Sequence, residues 1–202
     1  AVINSTNVVV RDLDLTNNVH GVVFAFTAES IVENVKAVNN IYGIYLYSSS
    51  NNTIVRSTVT SKGKRGVQMI NSSNNAIGNN MIANNYIGIG LWLSAENNTI
   101  NGNAILNGAS EGVGLYLDHS GSNAIGNNSI TNNYEGIISY GSSGNTLRNN
   151  NMTSNSYNFG VYGVSLLHFI NDVDTSNTVN GKPIYYWISQ HDKQVPTNAG
   201  YV

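Results

Sequence analysis

The sequence predicts an all-β chain folded as a right-handed parallel β-helix, a solenoid of about seven to eight coils of 22–25 residues. Three observations carry this. A glycine recurs at Gly21, Gly43, Gly66, Gly88, Gly112, Gly136 and Gly160, with successive gaps of 22, 23, 22, 24, 24 and 24 residues. Apolar residues alternate with polar or aromatic ones over the four positions after each glycine. Asparagine, 36 of 202 residues, returns at one fixed offset in consecutive copies. A fixed period in the twenties marks a solenoid, in which each copy buries its apolar face only against its neighbours.

The elements follow in order through one copy. Glycine sets the first corner, because it takes backbone conformations closed to other residues. At +1 and +3 after the first six glycines stand Val22/Phe24, Ile44/Leu46, Val67/Met69, Ile89/Leu91, Val113/Leu115 and Ile137/Ser139, a period of two that points them inward. A second strand is anchored by Val10, Val32, Ile54, Ile77, Ile100, Ile125 and Leu147. Five residues later a third carries Leu15, Ala37, Val59, Ile82, Ile105, Ile130 and Met152. Between these anchors fall Asn80, Asn103, Asn128 and Asn150. Coils stack about 4.8 Å apart, so these amides are expected to hydrogen-bond up the stack as a ladder. A leucine-rich repeat would need a helical stretch in each copy, which the Asn- and Gly-rich corners do not offer. The Gly-Gly-x-Gly-x-Asp signature of a calcium-binding nonapeptide roll is absent.

From about Asp174 the pattern breaks. Gly181-Lys182-Pro183 reads as a turn, Ile184-Tyr185-Tyr186-Trp187-Ile188 as a strand, and the rest as a polar loop through Pro196. The expected organisation is β-helix repeats over 1–174 and an aromatic-rich capping or junction segment over 175–202, continuous with them.

Composition narrows the function. Charged residues are 10% and the formal net charge is −2, which argues against nucleic acid. The one basic cluster, Lys62-Gly63-Lys64-Arg65, reads as a solvated loop. There is no cysteine, hence neither disulfide nor thiolate metal site. No apolar run approaches the roughly 18 residues of a membrane span. The chain opens on Ala1-Val2-Ile3 without an initiator Met or signal peptide, as a portion of something longer would.

Segments such as Ser73-Asn74-Asn75-Ala76-Ile77-Gly78-Asn79-Asn80 and Asn84-Asn85-Tyr86-Ile87-Gly88-Ile89 resemble the parallel β-helix repeat family that includes NosD-like and carbohydrate-binding/sugar-hydrolase (CASH) domains. The likeness is closest to the Asn-rich versions of archaeal surface-layer and other cell-surface proteins, and covers residues 5–163. The tail Asn177-Thr178-Val179-Asn180-Gly181-Lys182-Pro183-Ile184-Tyr185-Tyr186-Trp187 is similar to a segment that follows such repeats in archaeal surface proteins. The resemblance implies the fold and an extracellular or cell-surface location. It leaves function open, since the family spans enzymes, binders and scaffolds.

Four features are candidates for function. The first is a seam between the two ends. If Val202 were followed by another Ala1, Gly200 would precede Val10 by 12 residues, within the 11–13 of the other coils. Tyr201 and Ala1 would then face inward and Val2 outward. The residues Ala1, Val2, Ile3, Gly200, Tyr201 and Val202 are thus expected to join copies of the chain end to end. The second feature is an outward column, Ala25, Tyr47, Ile70, Trp92, Tyr116 and Tyr140, in which Trp92, Tyr116 and Tyr140 form three successive rungs, with Tyr45 and Tyr162 beside it. Exposed rings can stack on sugars or bury against protein.

The third feature is a carboxylate pair, Glu111 and Glu135, expected one coil apart at about the 5 Å of a retaining glycosidase but read as a hydrated surface pair. The fourth is six N-glycosylation acceptors in form, at Asn4, Asn51, Asn71, Asn97, Asn127 and Asn151. A polysaccharide lyase would need a base beside stacked acids, and only Arg11-Asp12-Leu13-Asp14 comes near. His20, His119, His168 and His191 lack paired metal-ligand spacing, so no metal or cofactor is expected. The reading that results is a non-enzymatic extracellular module of a surface layer, sheath or filament, assembling with copies of itself. The alternative is a carbohydrate-binding or adhesion module using the aromatic ladder, and a polysaccharide hydrolase or lyase stands third.

Overall fold

Short extended segments broken by left-handed corners wind this chain into three-sided coils. The structure, a computed structural model, describes residues 1–61, 64–106, 108 and 111–202. Among these, three sheets form. Sheet A stacks the longest strands: Val2–Ile3, His20–Ala25, Tyr42–Tyr47, Arg65–Ile70, Ile87–Trp92, Val113–Asp118, Glu135–Tyr140 and Tyr157–Tyr162. Sheet B runs from Val9–Arg11 to Asp172–Val173. Sheet C runs from Asp14–Thr16 to Thr178–Val179 and ends on an antiparallel strand, Lys182–Pro183. A 3-10 turn at Leu166–Phe169 is the one helical element among the described residues. The chain is an all-β parallel solenoid of about eight turns.

Both anchor columns hold throughout. Val10, Val32, Ile54, Ile77, Ile100, Ile125, Leu147 and Val173 pair in unbroken parallel register along sheet B. Leu15 to Met152 do the same along sheet C, reaching Val179. With the inward residues of sheet A they form one continuous apolar core in which Leu46, Ile54, Ile77, Ile89 and Ile100 are wholly buried.

The asparagine ladder is present, and there is more than one. Asn80, Asn103, Asn128, Asn150 and Asn177 pass a side-chain amide from coil to coil at 2.8–3.0 Å. A second run links Asn52, Asn75, Asn98, Asn123, Asn145 and Asn171 at 3.1–3.2 Å. At the third corner Asn133 and Asn155 make the same contact at 3.1 Å. Each buried amide also ties backbone groups of adjoining coils, which would otherwise be costly orphans. The frequent Asn-Asn pairs follow from this. In Asn74-Asn75, Asn79-Asn80, Asn84-Asn85, Asn97-Asn98, Asn127-Asn128 and Asn132-Asn133 the first residue turns the corner at a φ of 53–58° and the second is buried, in a ladder in every case but Asn85, which bonds backbone groups alone. Asparagine tolerates the left-handed region better than most residues.

Two features of the glycine column differ from expectation. Register pairs Ile87 with Val113 and Val113 with Glu135, so Gly114, not Gly112, continues the column. One coil further, Glu135 meets Tyr157 and Ile137 meets Phe159, which puts Asn158 in the slot that Gly160 was expected to fill. Both slips are of two residues, and a two-residue slip leaves the inside–outside alternation intact. Leu115 and Leu117 are therefore the inward pair of that coil. The extra residues of the coil fall before it, between Leu106 and Val113. The reason for glycine also differs. None of the column's glycines has a positive φ. A Cβ on Gly21 would lie 2.5 Å from the carbonyl oxygen of Gly43, and one on Gly88 2.5 Å from that of Gly114. Close approach of the next coil is what excludes a side chain.

The C-terminal residues cover their own end of the core. Ile184 is fully buried and bridges to Tyr201, whose ring meets Phe159 edge-on at 5.0 Å. Gly200 donates its N–H to the Pro183 carbonyl at 2.9 Å, and Tyr185 to that of Tyr201 at 2.9 Å. The segment expected as a continuous strand from Ile184 to Ile188 is irregular beyond Ile184. At the other end Val2 pairs with Phe24 and Ile3 with Ala25. Val2 thus takes the inward slot expected for Ala1, which is exposed, and Ile3 takes the outward slot expected for Val2. The complementary half-strands expected at the two ends are out of register, and the C-terminal one is already paired within the chain.

Candidate functional site

The outer face of sheet A concentrates the aromatic and charged side chains. Its six-residue strands present three outward columns, fixed by register. The first reads His20, Tyr42, Arg65, Ile87, Val113, Glu135, Tyr157. The second reads Val23, Tyr45, Gln68, Gly90, Tyr116, Ile138, Gly160. The third reads Ala25, Tyr47, Ile70, Trp92, Asp118, Tyr140, Tyr162.

The expected ladder of Trp92, Tyr116 and Tyr140 is therefore broken. Asp118 occupies the rung between Trp92 and Tyr140, and Tyr116 sits one column over, opposite Gly90 and Ile138. Trp92 and Tyr116 nevertheless meet, at 5.9 Å between centroids. The indole folds back along its own strand and covers Gly90, where any Cβ would fall inside the ring. There, with Tyr116, it shields a small apolar patch of Ile87, Val113 and Ile138 on the outside of the sheet.

A continuous strip results. His20 stacks on Tyr42 at 4.9 Å and 12°, and Tyr45 lies 5.4 Å from His20 and 5.7 Å from Tyr42. Tyr47 stacks on Tyr45 at 6.4 Å and 24°. The guanidinium of Arg65 bridges to the next rings, 6.0 Å from the Tyr42 centroid and 4.6 Å from that of Trp92. Beneath it, buried Gln68 accepts a hydrogen bond from Arg65 Nη1 at 2.7 Å. Beyond Trp92 and Tyr116 come Asp118, whose Oδ1 lies 2.5 Å from His119 Nδ1, and Tyr140, whose ring meets His119 edge-on at 5.6 Å.

Burial acts on this strip in one direction, toward neutral forms. It lowers the pKa of His20, and it raises those of Tyr45 and Tyr116. Tyr42 and Tyr47 add to the rise at Tyr45 while Arg65 opposes it, and Asp118 adds to the rise at Tyr116. An open depression of about 400 Å³ adjoins Arg65, lined by Ile41, Tyr42, Lys64, Arg65 and Tyr86.

The other expected residues fall elsewhere. Glu111 lies outside the strand, and Val113 rather than Glu111 is the neighbour of Glu135, so no carboxylate pair of glycosidase type forms in register. Arg11, Asp12 and Asp14 lie at the corner between sheets B and C, far around the coil from the strip. Asn4, Asn51, Asn71, Asn97, Asn127 and Asn151 are all exposed. Of the basic cluster, Lys62 and Gly63 lie outside the described residues, whereas Lys64 and Arg65 belong to the depression. The sequence reading placed Arg65 in a solvated loop and His119 among histidines without metal-ligand spacing, and passed over Gln68 and Asp118. The one signal for them was their position within or beside the alternating strands.

The chain matches, over residues 1–135 and 106–198, the family described as periplasmic copper-binding protein (NosD). It belongs to the NosD family. The family is described as periplasmic, in keeping with an extracytoplasmic setting, and no described helix is long and apolar enough to cross a membrane. The donor set does not fit a copper site, which takes clustered His, Met or Cys. Among the described residues no three His, Cys, Asp or Glu side chains converge, and of the three methionines Met69 and Met152 are buried in the core, leaving Met81 alone exposed. No curated protein matches the chain.

Solved structures similar to it include the Azotobacter vinelandii mannuronan C-5 epimerase AlgE4 A-module, with TM-score 0.70, 15% identity, and 90% of this chain and 56% of that one covered. A mutant of the periplasmic alginate epimerase AlgG follows at TM-score 0.68 and 24% identity, with 75% and 38% covered. The Dettilon tailspike protein gp208 stands at 0.67 and 14%, with 79% and 36% covered. The chain spans roughly a third to just over half of these proteins.

At such identities the likeness shows the fold. The expected role as a structural surface-layer or filament module is nonetheless overturned. These neighbours are named as polysaccharide epimerases and a tailspike, and the C-terminal strand that end-to-end joining required is already paired within the chain. Enzymes stand among the neighbours, and the expectation of a non-enzymatic role is not confirmed.

Proposed function

We propose that this chain recognises a polysaccharide along the outer face of sheet A. One observation carries the reading: the strip from His20 through Tyr42, Tyr45, Arg65, Trp92 and Tyr116, continued by Asp118 and His119 to Tyr140, which crosses six consecutive strands. At about 4.8 Å per coil it extends some 24 Å, the scale of several sugar rings, and flat half-buried rings match the apolar faces of sugars. The fold's likeness to polysaccharide epimerases supports the same class of ligand.

A second reading, chemistry on that polysaccharide, is favoured by the far end of the strip. Asp118 holds His119 by Nδ1, beside the phenols of Tyr116 and Tyr140. An imidazole oriented by a carboxylate, next to phenols, can move protons at a bound sugar. The test is direct. The purified chain is titrated against a panel of neutral and charged polysaccharides, and bound polymers are followed by NMR for change. Binding lost in Trp92→Ala supports recognition. Turnover lost in His119→Ala with binding retained supports chemistry. An absence of binding to every polymer sinks both.

A further inference from the structure

Arg65 is built differently from the other three arginines. Arg11 pairs with Asp12, Arg56 with Glu33, and Arg148 with Asp172 and Asp174. Among the described residues Arg65 has no carboxylate partner. Its guanidinium is held instead by the faces of Trp92 and Tyr42 and by the amide oxygen of Gln68, which is only 2% exposed. This arrangement fixes the group's orientation without neutralising it. Nη1 is engaged with Gln68, while Nε and Nη2 make no hydrogen bond among the described residues. Lys64 brings a second positive charge to the same depression, and Tyr42 and Tyr86 supply ring surface at its walls.

We infer that the Arg65 depression is a receptor for the carboxylate of a uronic acid residue, so that the polysaccharide recognised by sheet A contains uronic acids. The inference rests on the glycan reading above and names its substrate class. A planar guanidinium with free N–H groups matches a carboxylate in a forked, two-bond geometry. Desolvation by the flanking rings strengthens that attraction relative to open water. A pyranose carrying the carboxylate has Tyr42 or Tyr86 to rest against. The acidic groups of the same face stand apart from it: Glu135 lies three coils along the same column, about 14 Å, and Asp118 lies two coils along and five residues across the strand. The receptor therefore addresses one sugar of the polymer and leaves the acidic end to another.

The test compares polygalacturonate with the same polymer fully methyl-esterified, which removes the charge and keeps the backbone. Dextran sulfate and dextran serve as a second pair. Calorimetric titration is expected to give at least about ten-fold tighter binding of polygalacturonate than of its ester, weakening with salt. Arg65→Gln is expected to abolish that preference, and Arg65→Lys to restore part of it, since lysine keeps the charge but not the fork.

Equal affinity for acid and ester overturns the inference while leaving the glycan reading standing, as does a preference unchanged in Arg65→Gln. Dextran sulfate bound better than polygalacturonate through Arg65 also overturns it, in favour of a sulfated ligand. No binding of any of the four polymers by the parent chain overturns it together with the reading on which it rests. Circular dichroism and thermal melting check that the variants fold. Should Arg65→Gln unfold, exposed Lys64→Gln takes its place, and a preference that it fails to reduce overturns the inference.

Discussion

Asn79 and Asn80 are adjacent, identical in chemistry, and placed for unrelated purposes. Asn79 turns the corner between sheets B and C at φ 53° and is exposed. Asn80 is 2% exposed, accepts from the Ser57 N–H at 2.9 Å, and donates to the Ile54 carbonyl at 3.0 Å and to Asn103 Oδ1 at 3.0 Å.

The two should therefore respond in opposite ways to substitution. Asn80→Ala leaves the Ser57 N–H buried and unpaired and removes the amide's bonds to the Ile54 carbonyl and to Asn103 Oδ1, and is expected to cost about 2–4 kcal/mol. Asn79→Gly keeps the left-handed backbone available and is expected to change stability by less than about 0.5 kcal/mol. Urea denaturation of both variants gives the comparison, and equal losses would show that the ladder bonds carry no special weight.

Steric exclusion at the glycine column is open to the same kind of test. Gly88→Ala places a methyl 2.5 Å from the Gly114 carbonyl oxygen and 2.6 Å from Ile105 Cγ2, with backbone on one side that cannot yield. A loss of about 2–3 kcal/mol is expected. At Gly78, on a sheet B strand, a Cβ meets nothing nearer than the Asn101 carbonyl oxygen at 3.5 Å. Gly78→Ala is expected to be neutral or to stabilise by up to about 1 kcal/mol. Thermal unfolding monitored by circular dichroism distinguishes the two.

Gly90 offers a way to move the indole of Trp92 without removing it. In Gly90→Ala the new methyl occupies the indole's place on the sheet, so the ring must swing out and Arg65 loses its nearer partner. Trp92 fluorescence is expected to shift to the red, and polysaccharide affinity to fall by about ten-fold, roughly the worth of one aromatic contact. Unchanged emission and affinity would mean that the flat-lying ring is immaterial to the site.

The C-terminal cover should loosen in alkali. Burial raises the pKa of Tyr186, which donates to the Phe169 carbonyl at 2.6 Å, and also that of Tyr201 on Phe159. For a phenol raised above its unfolded value of 10.0, the stabilisation is complete below pH 10 and is lost as pH climbs through the folded value. Limited proteolysis is expected to cut within residues 185–202 above pH 10 before the repeats are attacked. Tyr201→Phe should shift that onset upward. Simultaneous digestion of cover and coils would refute this order of events.

Periodicity alone exposed the sheets of this chain because the anchors of sheets B and C, from Val10 and Leu15 onward, recur at fixed distance from the asparagine corners. The glycine column was less secure. Gly112 and Gly114 both satisfy a period of two, and only the pairing of Val113 with Ile87 and Glu135 separates them. That one ambiguity carried through to the face: it put Tyr116 in line with Trp92 and set Glu111 beside Glu135. The strip itself was half legible. Its tyrosines and Trp92 stood out as outward aromatics. Arg65, by contrast, looked like part of a solvated loop, because nothing in the local sequence reveals that Gln68 lies beneath it and that rings from neighbouring coils close on either side.

A coil whose corners are fastened by identical amides presents the same upper and lower surface to whatever lies next to it. A tandem duplication of about 23 residues, such as 76–98, could therefore enter the array without disturbing a single flanking bond. Selection could thereby lengthen the aromatic face by one step of about 4.8 Å at a time, matching its reach to the length of the polysaccharide proposed to lie on it, with no redesign of what is already there.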